Sequence, residues 1–403
     1  MNFWWILDIF DWLLFIPVAL TVIYFLVFSI SALFTNRVTP NKSKQNNRFI
    51  VLIPAYKSDK TIMDTVNSIL GQTYPQRNFD VVVISDHMSE MTNMRLAQMP
   101  VTLLTPNFAE SSKAKSLQYA IINLPQFKIY DAVIVLDAGN MVDTEFLEKL
   151  NEAYDASGSK VIQCHRMARN NDTPTARLDA AFEEINNTVF RKGHLAVGLS
   201  AALNASGTVF SFPWFKQNIM KVRVKVGEEK ELEAMLAREG IFVDYFEDIH
   251  VYHIKKRHTA ELNRQRGRWI YAQLHALVNN IRYLPSALMN SHYDHVDKII
   301  QWLLIPRTIL IGIIMVMSAV LPFIYMTLAI KWWLAGALIM LAFAFATPDY
   351  LIGEHWNKDF LRAPLLSVGG LFNIFRAGRD EAGNRLDAFS HIIRRLKFKR
   401  RKE

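Results

Sequence analysis

Apolar residues are concentrated at the start of the chain and in its last quarter, and a mixed pattern lies between them. Residues 12–34 contain no charged side chain, and a second apolar block runs from residue 299 to residue 352. A helix of about 20 apolar residues crosses a bilayer. The first block therefore predicts a membrane helix, and residues 308–325 and 332–347 predict two more, joined as a hairpin by a short turn.

A cleaved secretory signal is the competing interpretation of the first block. Such a signal begins with basic residues and has a shorter apolar core. Here Asp8 and Asp11 precede the apolar run instead, and the run is longer than a signal needs. The sequence therefore favours a helix that stays in the membrane.

Basic residues near the ends of membrane helices predict which side faces the cytoplasm. The chain ends in the basic run RRLKFKRRKE, and the turn between the second and third predicted spans contains only Lys331. Four basic residues follow the first span: Arg37, Lys42, Lys44 and Arg48. We therefore predict an integral protein of the plasma or inner membrane, with its N-terminus outside and its middle region and C-terminus in the cytoplasm.

Short apolar runs alternate with amphipathic ones from residue 49 to about residue 252. FIVLIPAY (49–56), DVVVISD (80–86) and AVIVLD (132–137) predict strands, of which we expect the first to end at Pro54. Residues 59–75 predict a helix with one apolar face. Strands that alternate with helices indicate a parallel-type α/β sheet covered on both sides, where ligands bind at the C-terminal ends of the strands.

Polar residues stand at the ends of these strands, namely Tyr56, Asp86 and Asp137. Two carboxylates on one sheet edge suit a nucleotide sugar, because one can accept hydrogen bonds from the base or ribose while the other faces a diphosphate-bound metal. For each Asp alone, a role as a turn residue or helix cap remains open. The sequence contains neither GxGxxG nor GxxxxGK[ST], which weakens a dinucleotide-binding or P-loop interpretation.

Two later segments carry further candidate chemistry. GEEKELEAMLAREG (227–240) predicts a helix with Glu228 and Glu229 in its first turn, where they serve as helix-end charges or supply a general base. In RQRGRW (264–269), a helix would present an amide, a guanidinium and an indole on one face. Such a face binds phosphate and a sugar ring, or it lies at the membrane surface.

Composition limits the classes of protein to consider. The 403 residues are 51% apolar, which allows two domains or one domain with membrane helices. The net charge of +9 does not require nucleic acid, because a basic tail beside membrane spans is explained by anionic lipid headgroups. Cys164 is the only cysteine, so the chain has no disulfide framework and no zinc cluster, as expected in a reducing compartment.

Taken in order, the motifs IPAY, SDHMSE, KAKSLQ, VLDAGN, NASGTVF, GEEKELE and QRGRW resemble those of the membrane-bound family 2 glycosyltransferases. This family includes cellulose, chitin and hyaluronan synthases and the ceramide glucosyltransferases. The resemblance covers about residues 49–270 and is flanked by membrane segments in the family's arrangement. It implies a GT-A-type nucleotide-sugar-binding domain with a mixed, mostly parallel sheet, together with transmembrane helices.

The resemblance also divides the chain into five regions. These are an N-terminal transmembrane helix (1–36), a cytoplasmic glycosyltransferase domain (48–260), QxxRW and amphipathic interfacial helices (261–300), a transmembrane hairpin (301–352), and an interfacial segment with a basic cytoplasmic tail (353–403).

Matching positions to the family's motifs assigns roles on the donor side. Tyr56 and Asp86 match residues that hold uridine, and Lys113 matches a lysine close to the nucleotide. Asp137 matches the first Asp of the DxD motif, which implies a divalent cation, Mg²⁺ or Mn²⁺. Gly139 occupies the place of the second Asp, the principal metal ligand, so we expect weaker metal binding unless Asn140 or Asp143 substitutes.

On the acceptor side, Glu229 matches the Asp of the ED pair, the general base that deprotonates the acceptor hydroxyl. The QxxRW residues, which close around the diphosphate and acceptor, are Gln265, Arg268 and Trp269. The acceptor loop contains Ser206 and Gly207, with Ala205 in place of a more usual glycine. The implied reaction is a single inverting displacement in which Arg268 and the cation stabilise the departing diphosphate.

Three functions follow as hypotheses. The first is an active transferase that moves a sugar, most simply from a UDP-sugar, to a growing polysaccharide or a lipid, either processively or once. The second is a degenerate subunit for binding or scaffolding, suggested by Gly139 and by SDHMSE in place of DDGSTD. The third, a transporter, is disfavoured because the predicted spans carry almost no charge. Expected partners are membrane lipids and a homo-oligomer or synthase complex, but no nucleic acid.

Overall fold

The computed structural model describes residues 3–35, 40, 42–43, 45–125, 127–158 and 160–351. Arg37, Lys44 and the predicted basic tail (353–403) lie outside the described residues. The strands are β1 (Phe49–Tyr56), β2 (Phe79–Asp86), β3 (Thr102–Leu104), β4 (Ala132–Val135), β5 (Asn140–Val142), β6 (Val161–Ala168), β7 (Thr208–Ser211) and β8 (Asp244–His253).

The α-helices precede, separate and follow these strands. They are α1 (Phe3–Ser31), α2 (Ile62–Leu70), α3 (Glu90–Ala97), α4 (Lys113–Asn123), α5 (Phe146–Ser157), α6 (Pro174–Asn187), α7 (Gly193–Ala196), α8 (Phe212–Ile219), α9 (Glu228–Glu239), α10 (Thr259–Asn280), α11 (Leu284–Met289), α12 (Tyr293–Leu303), α13 (Arg307–Val320) and α14 (Met326–Ala346).

The strands form one mixed sheet in the order β3-β2-β1-β4-β7-β6-β8-β5. The pairs β1–β2, β1–β4, β2–β3 and β6–β8 are parallel, whereas β7 and β5 pair with their neighbours in antiparallel fashion. Apolar clusters cover both faces, since alternate residues of β1 and β4 point into one cluster or the other. The predicted α/β class is confirmed.

The first strand is longer than the sequence predicts. We expected it to end at Pro54, but β1 continues to Tyr56 and stays in parallel register with β2. Pairing of β1 with β4 reaches only Leu52, so Pro54 lies where β1 has β2 as its strand neighbour. A missing N–H is tolerated at such an edge.

Two helices are long and apolar enough to cross a membrane: Leu7–Phe34 and Met326–Ala346. The pair α12 and α13, bent by 53°, adds a third span if the two helices cross as one unit. Only the described residues enter this count. The predicted first span therefore has a matching helix, whereas the predicted second span (308–325) belongs to a broken segment.

The two long apolar helices pack against each other and run parallel. Phe15 of α1 contacts Trp332 near the start of α14, and Phe25 contacts Phe343 near its end. Their N-terminal ends therefore lie on the same side, as expected if α13 returns across the membrane between them. Which side faces the cytoplasm remains a prediction.

Lys331 does not lie in a turn between spans, contrary to our expectation. It lies in the first turns of α14, where its ammonium group forms a buried ion pair with Asp11 of α1. Asp11 also accepts a hydrogen bond of 2.7 Å from the indole of Trp332. A buried charge persists when it is paired and hydrogen-bonded, and this pair joins α1 to α14.

Candidate active site

The C-terminal ends of β1 and β2 place Tyr56 directly opposite Asp86. Asp86 is only 1% exposed, and its Oδ1 atom lies 2.6 Å from Nδ1 of His87. Its buried Oδ2 atom has no hydrogen-bond partner among the described residues. A buried acceptor without a partner is costly, so this oxygen is suited to a donor group on a ligand.

The backbone just beyond both strand ends is strained. Lys57 and His87 have φ values of 48° and 54°, in the left-handed region that non-glycine residues rarely adopt. The N–H of Lys57 donates to the carbonyl of Asp86 at 3.2 Å, which ties the two turns together. Strain of this kind concentrates at ligand-binding edges.

Lys113, the first residue of α4, joins two loops and the start of α9 at this edge. Its ammonium group donates to Asp137 Oδ1 and to the carbonyl of Ala205, and it lies 3.5 Å from Glu228 Oε1. Burial would lower the pKa of Lys113, but the Asp137 and Glu228 carboxylates outweigh burial and raise it. Lys113 therefore remains a cation beside the predicted donor site.

Ser206 holds the backbone of Asp137 in place. The backbone N–H of Asp137 donates to Ser206 Oγ at 2.9 Å, and Asn140 Nδ2 donates to the same oxygen. Asn140 Oδ1 lies 2.8 Å from Nδ1 of His253. The side chain of Asn140 is therefore occupied within the protein, and the predicted substitution of Asn140 for the missing metal ligand does not fit this arrangement.

Gly207 allows the Ser206 loop to approach β8. Its φ is 70°, and a Cβ atom at this position would lie 2.8 Å from Val251 Cγ2. Ser206 and Gly207 are both buried, so in this structure they position neighbouring residues of the site and are not exposed at its surface. Their contact with an acceptor remains a prediction.

Gly139 has a backbone reason for being glycine. Its φ is 98°, and a Cβ atom there would lie 3.3 Å from Thr61 Oγ1. Its N–H donates to Thr65 Oγ1 at 2.8 Å, which holds the conformation. A side chain at this position would be strained, so the loop is not shaped for the second carboxylate of a DxD motif.

A divalent cation fits this edge only if the substrate and water supply most of its ligands. Among the described residues, no cluster of three or more His, Cys, Asp or Glu side chains is placed to hold a metal ion. Asp143, the other predicted substitute, instead lies 3.2 Å from the hydroxyl of Tyr252. Mg²⁺ accepts one carboxylate when substrate phosphates and water supply the remaining ligands. Asp137 can provide that one carboxylate.

The first turn of α9 presents two carboxylates in different directions. Glu228 is buried and faces Lys113, whereas Glu229 lines a cavity. Burial and the neighbouring Glu228 carboxylate raise the pKa of Glu229 to about 7. A base with a pKa near the working pH is the most effective, so Glu229 has the properties of a general base.

Gly227 brings α9 and α10 together. Its φ is 85°, and a Cβ atom there would lie 2.5 Å from Cβ of Ala272 in α10. No side chain fits this contact. Because Gly227 immediately precedes α9, the close approach also sets the position of Glu229 relative to Trp269, which lines the same cavity.

The predicted helix around RQRGRW is confirmed as part of α10. Trp269 lines the cavity, Arg268 is exposed, and Gln265 has a buried Oε1 atom without a hydrogen-bond partner among the described residues. Arg266, which was not among the predicted site residues, is only 6% exposed and also lines the cavity. Its position four residues after the buried Leu262 was the available signal.

The cavity has a volume of about 250 Å³ and lies between the sheet domain and the apolar helices. Residues of α1, α6, α9, α10 and α13 contribute to its lining, including Phe25, Glu183, Glu229, Arg266, Trp269 and Arg307. It therefore extends from the candidate base to a helix that is long and apolar enough to cross a membrane.

A family model described as "Glycosyltransferase like family 2" matches residues 46–272, more than half of the chain. No curated protein matches its sequence significantly.

The structure is similar to that of mannosyltransferase PcManGT from Pyrobaculum calidifontis, in complex with GDP-Man and Mn²⁺. The TM-score is 0.54 at 16% identity, covering 89% of this chain and 98% of the other. Residues 1–349 of S. aureus TarS in complex with UDP match with a TM-score of 0.39 at 13% identity, over 83% of this chain and 91% of that one. The first likeness shows a shared GT-A-like fold.

Proposed function

Because the chain belongs to glycosyltransferase family 2, we propose that it is an inverting membrane glycosyltransferase. It transfers a sugar from a nucleotide-sugar donor, most simply a UDP-sugar, to a lipid or polysaccharide acceptor. Its catalytic domain and C-terminus face the cytoplasm and its N-terminus lies outside. A homo-oligomer or synthase complex, with processive or single transfer, is compatible with this proposal.

The observation that carries the proposal is the pair of carboxylates at the start of α9. Glu228 contacts Lys113 on the side where Tyr56, Asp86 and Asp137 are predicted to hold the donor. Glu229, the next residue, lines the cavity and has a pKa of about 7. Two adjacent residues thus border the predicted donor region and the proposed acceptor region, which must lie next to each other for a direct displacement.

In the proposed reaction, Glu229 accepts the proton of an acceptor hydroxyl group. The acceptor oxygen bonds to the anomeric carbon, and the bond from that carbon to the nucleoside diphosphate breaks with its electron pair on the diphosphate. Lys113 and Arg268 stabilise the departing charge, while Gln265 and Trp269 position the acceptor. A divalent cation held by Asp137 would supply additional charge for binding the diphosphate.

Nucleotide release by the full chain, purified in detergent, tests this function. UDP-, GDP- and dTDP-sugars are compared with Mg²⁺ or Mn²⁺ and a membrane lipid extract as the acceptor source. We expect Glu229→Gln to slow release by about 10²–10⁴-fold, the usual contribution of a positioned base. Glu239→Gln, at the exposed end of the same helix, is the matched control. Equal rates in wild type and Glu229→Gln would contradict the assigned base.

A degenerate binding subunit is the second candidate, favoured by the absence of a carboxylate at Gly139. Restoring Asp at this position is a poor test, because a φ of 98° strains any side chain there. UDP binding by calorimetry is the better measurement. Tight UDP binding without release from any donor would support the subunit and contradict the enzyme.

A further inference from the structure

Arg266 and Arg307 lie on the same aromatic ring with no acidic partner. The two guanidinium carbons lie 5.2 and 4.8 Å from the centroid of the Phe182 ring. Arg307 donates to the carbonyl of Phe182 at 2.8 Å, whereas the buried Nη2 atom of Arg266 has no hydrogen-bond partner among the described residues. No described carboxylate forms an ion pair with either arginine.

The nearest carboxylates are already neutralised by other cations. Glu183 lies 3.1 Å from Lys255, 3.7 Å from Arg166 and 4.0 Å from Arg191.

Asp179 also lies 3.7 Å from Lys255. Burial lowers the pKa of Arg266, and the charge of Asp179 only partly opposes this effect. Since an unpaired buried charge is costly, the two arginines require an anion that the described residues do not supply.

The location of this excess positive charge distinguishes two possible anions, the donor diphosphate and a group on the acceptor. Arg266 and Arg307 line the cavity together with Glu229 and Trp269. The predicted donor-binding residues are not among the described residues that line it: Tyr56, Asp86, Lys113 and Asp137. The anion therefore belongs on the acceptor side of Glu229.

The cavity also reaches the apolar helices. Phe25, within the candidate span Leu7–Phe34, lines it, as do Ile305 and Pro306 at the bend between α12 and α13. An acceptor that occupies this cavity meets apolar side chains at one end and two guanidinium groups beside them. Guanidinium groups bind phosphate through paired N–H donors.

We propose that the acceptor is a phosphate-bearing lipid, with its phosphate bound by Arg266 and Arg307 and its reacting hydroxyl group beside Glu229. The phosphate keeps all its bonds and serves to anchor the lipid. Only the hydroxyl proton passes to Glu229, while the oxygen bonds to the anomeric carbon and the nucleoside diphosphate leaves. This inference rests on the proposed function, and it disfavours an uncharged polysaccharide, which would leave both arginines unpaired.

Lipid binding tests the inference without turnover. The full chain in maltoside micelles is titrated with dioleoyl phosphatidylglycerol, with dioleoylglycerol and with inorganic phosphate, and binding is followed by native mass spectrometry. We expect phosphatidylglycerol to bind at least about tenfold more tightly than dioleoylglycerol, since hydrogen bonds to charged groups contribute at least that factor. Inorganic phosphate should compete only weakly, because it lacks the acyl chains.

Variants then assign the phosphate to the two arginines. Arg266→Gln and Arg307→Gln should each weaken phosphatidylglycerol binding about tenfold. Arg264→Gln, which changes an exposed arginine on the same helix, should not. Equal binding of phosphatidylglycerol and dioleoylglycerol by the wild type would overturn the proposal even if a variant failed to fold. Competition by inorganic phosphate at the same affinity would assign the site to a soluble anion and also overturn it.

Turnover separates this proposal from the proposed function. Glu229-dependent nucleotide release that phosphatidylglycerol and dioleoylglycerol stimulate equally would leave the enzyme established and overturn the lipid-phosphate assignment. Stimulation by phosphatidylglycerol alone, lost in Arg266→Gln, would support it.

Discussion

The raised pKa of Glu229 predicts how the rate of transfer depends on pH. The pKa is raised from 4.5 to about 7 by burial and by Glu228. The base must be ionised to accept a proton, so about a tenth of the molecules are competent at pH ~6. We expect kcat/KM for the acceptor to rise about tenfold per pH unit below pH ~7 and to level off above it, because this ratio reports the base before the acceptor binds.

Removal of the neighbouring charge should move this profile. In Glu228→Gln the like charge is gone, so Glu229 ionises more easily and the midpoint falls by about one pH unit. Glu239→Gln, far from the pair at the other end of α9, should keep the wild-type midpoint. The assay is nucleotide release at saturating donor across a pH series. An unchanged midpoint in Glu228→Gln would refute the electrostatic account of Glu229.

The same shift predicts an effect on folding stability. Because the folded-state pKa lies above the unfolded value, the folded protein keeps a proton on Glu229 that the unfolded chain releases between pH ~4.5 and ~7. The free energy of unfolding therefore falls as pH rises through this window, by at most about 3 kcal/mol. Glu229→Gln cannot ionise, so thermal unfolding should show a smaller loss of stability between pH ~5 and ~8 than in the wild type.

Three further predictions concern packing and metal binding. Gly227→Ala, forced to φ 85° against Ala272, should lower stability by about 2–4 kcal/mol and reduce kcat, as seen by thermal melts and nucleotide release; unchanged values would contradict the close contact. Asp11→Asn should destabilise the detergent-purified protein by about 3–5 kcal/mol by leaving Lys331 unpaired, and a second change, Lys331→Met, should restore most of the melting temperature. Asp137→Asn should raise the Mg²⁺ concentration needed for half-maximal release, and an unaltered metal titration would exclude Asp137 as the ligand.

Local pattern was sufficient to predict that Tyr56 and Asp86 lie together at one edge of the sheet. Tyr56 and Asp86 end two strands whose apolar runs are visible in the sequence, and parallel pairing then places them opposite each other. The helix around Gln265 and Trp269 was equally predictable from spacing alone. The predicted end of the first strand was wrong because a proline was expected to end the strand wherever it occurs. A strand tolerates proline where a neighbouring strand is missing, and β4 pairs with β1 only as far as Leu52.

Features set by contacts distant in sequence could not be predicted. Lys331 was assigned to a turn because its partner Asp11 lies 320 residues earlier in the chain and pairs with it only after α1 and α14 pack. Gly139 was interpreted as a missing ligand, but its φ of 98° and its contact with Thr61 require the folded loop. Arg266 was passed over because its spacing from Leu262 indicates only that the two share a helix face, whereas its burial depends on packing against residues distant in sequence, such as Phe182.

The proposed position of the acceptor follows from the cavity that α9 shares with the apolar helices. Adjacent residues on a helix point about 100° apart, so Glu228 can face Lys113 while Glu229 faces the cavity. Phe25 of α1 also lines that cavity, and the Asp11 ion pair fixes α1 against α14. An acceptor held by its phosphate at Arg266 therefore stays close to the apolar helices while its hydroxyl group reaches the base. The proposed transfer to a lipid requires this arrangement, because a lipid in a bilayer would expose only its headgroup to the catalytic domain.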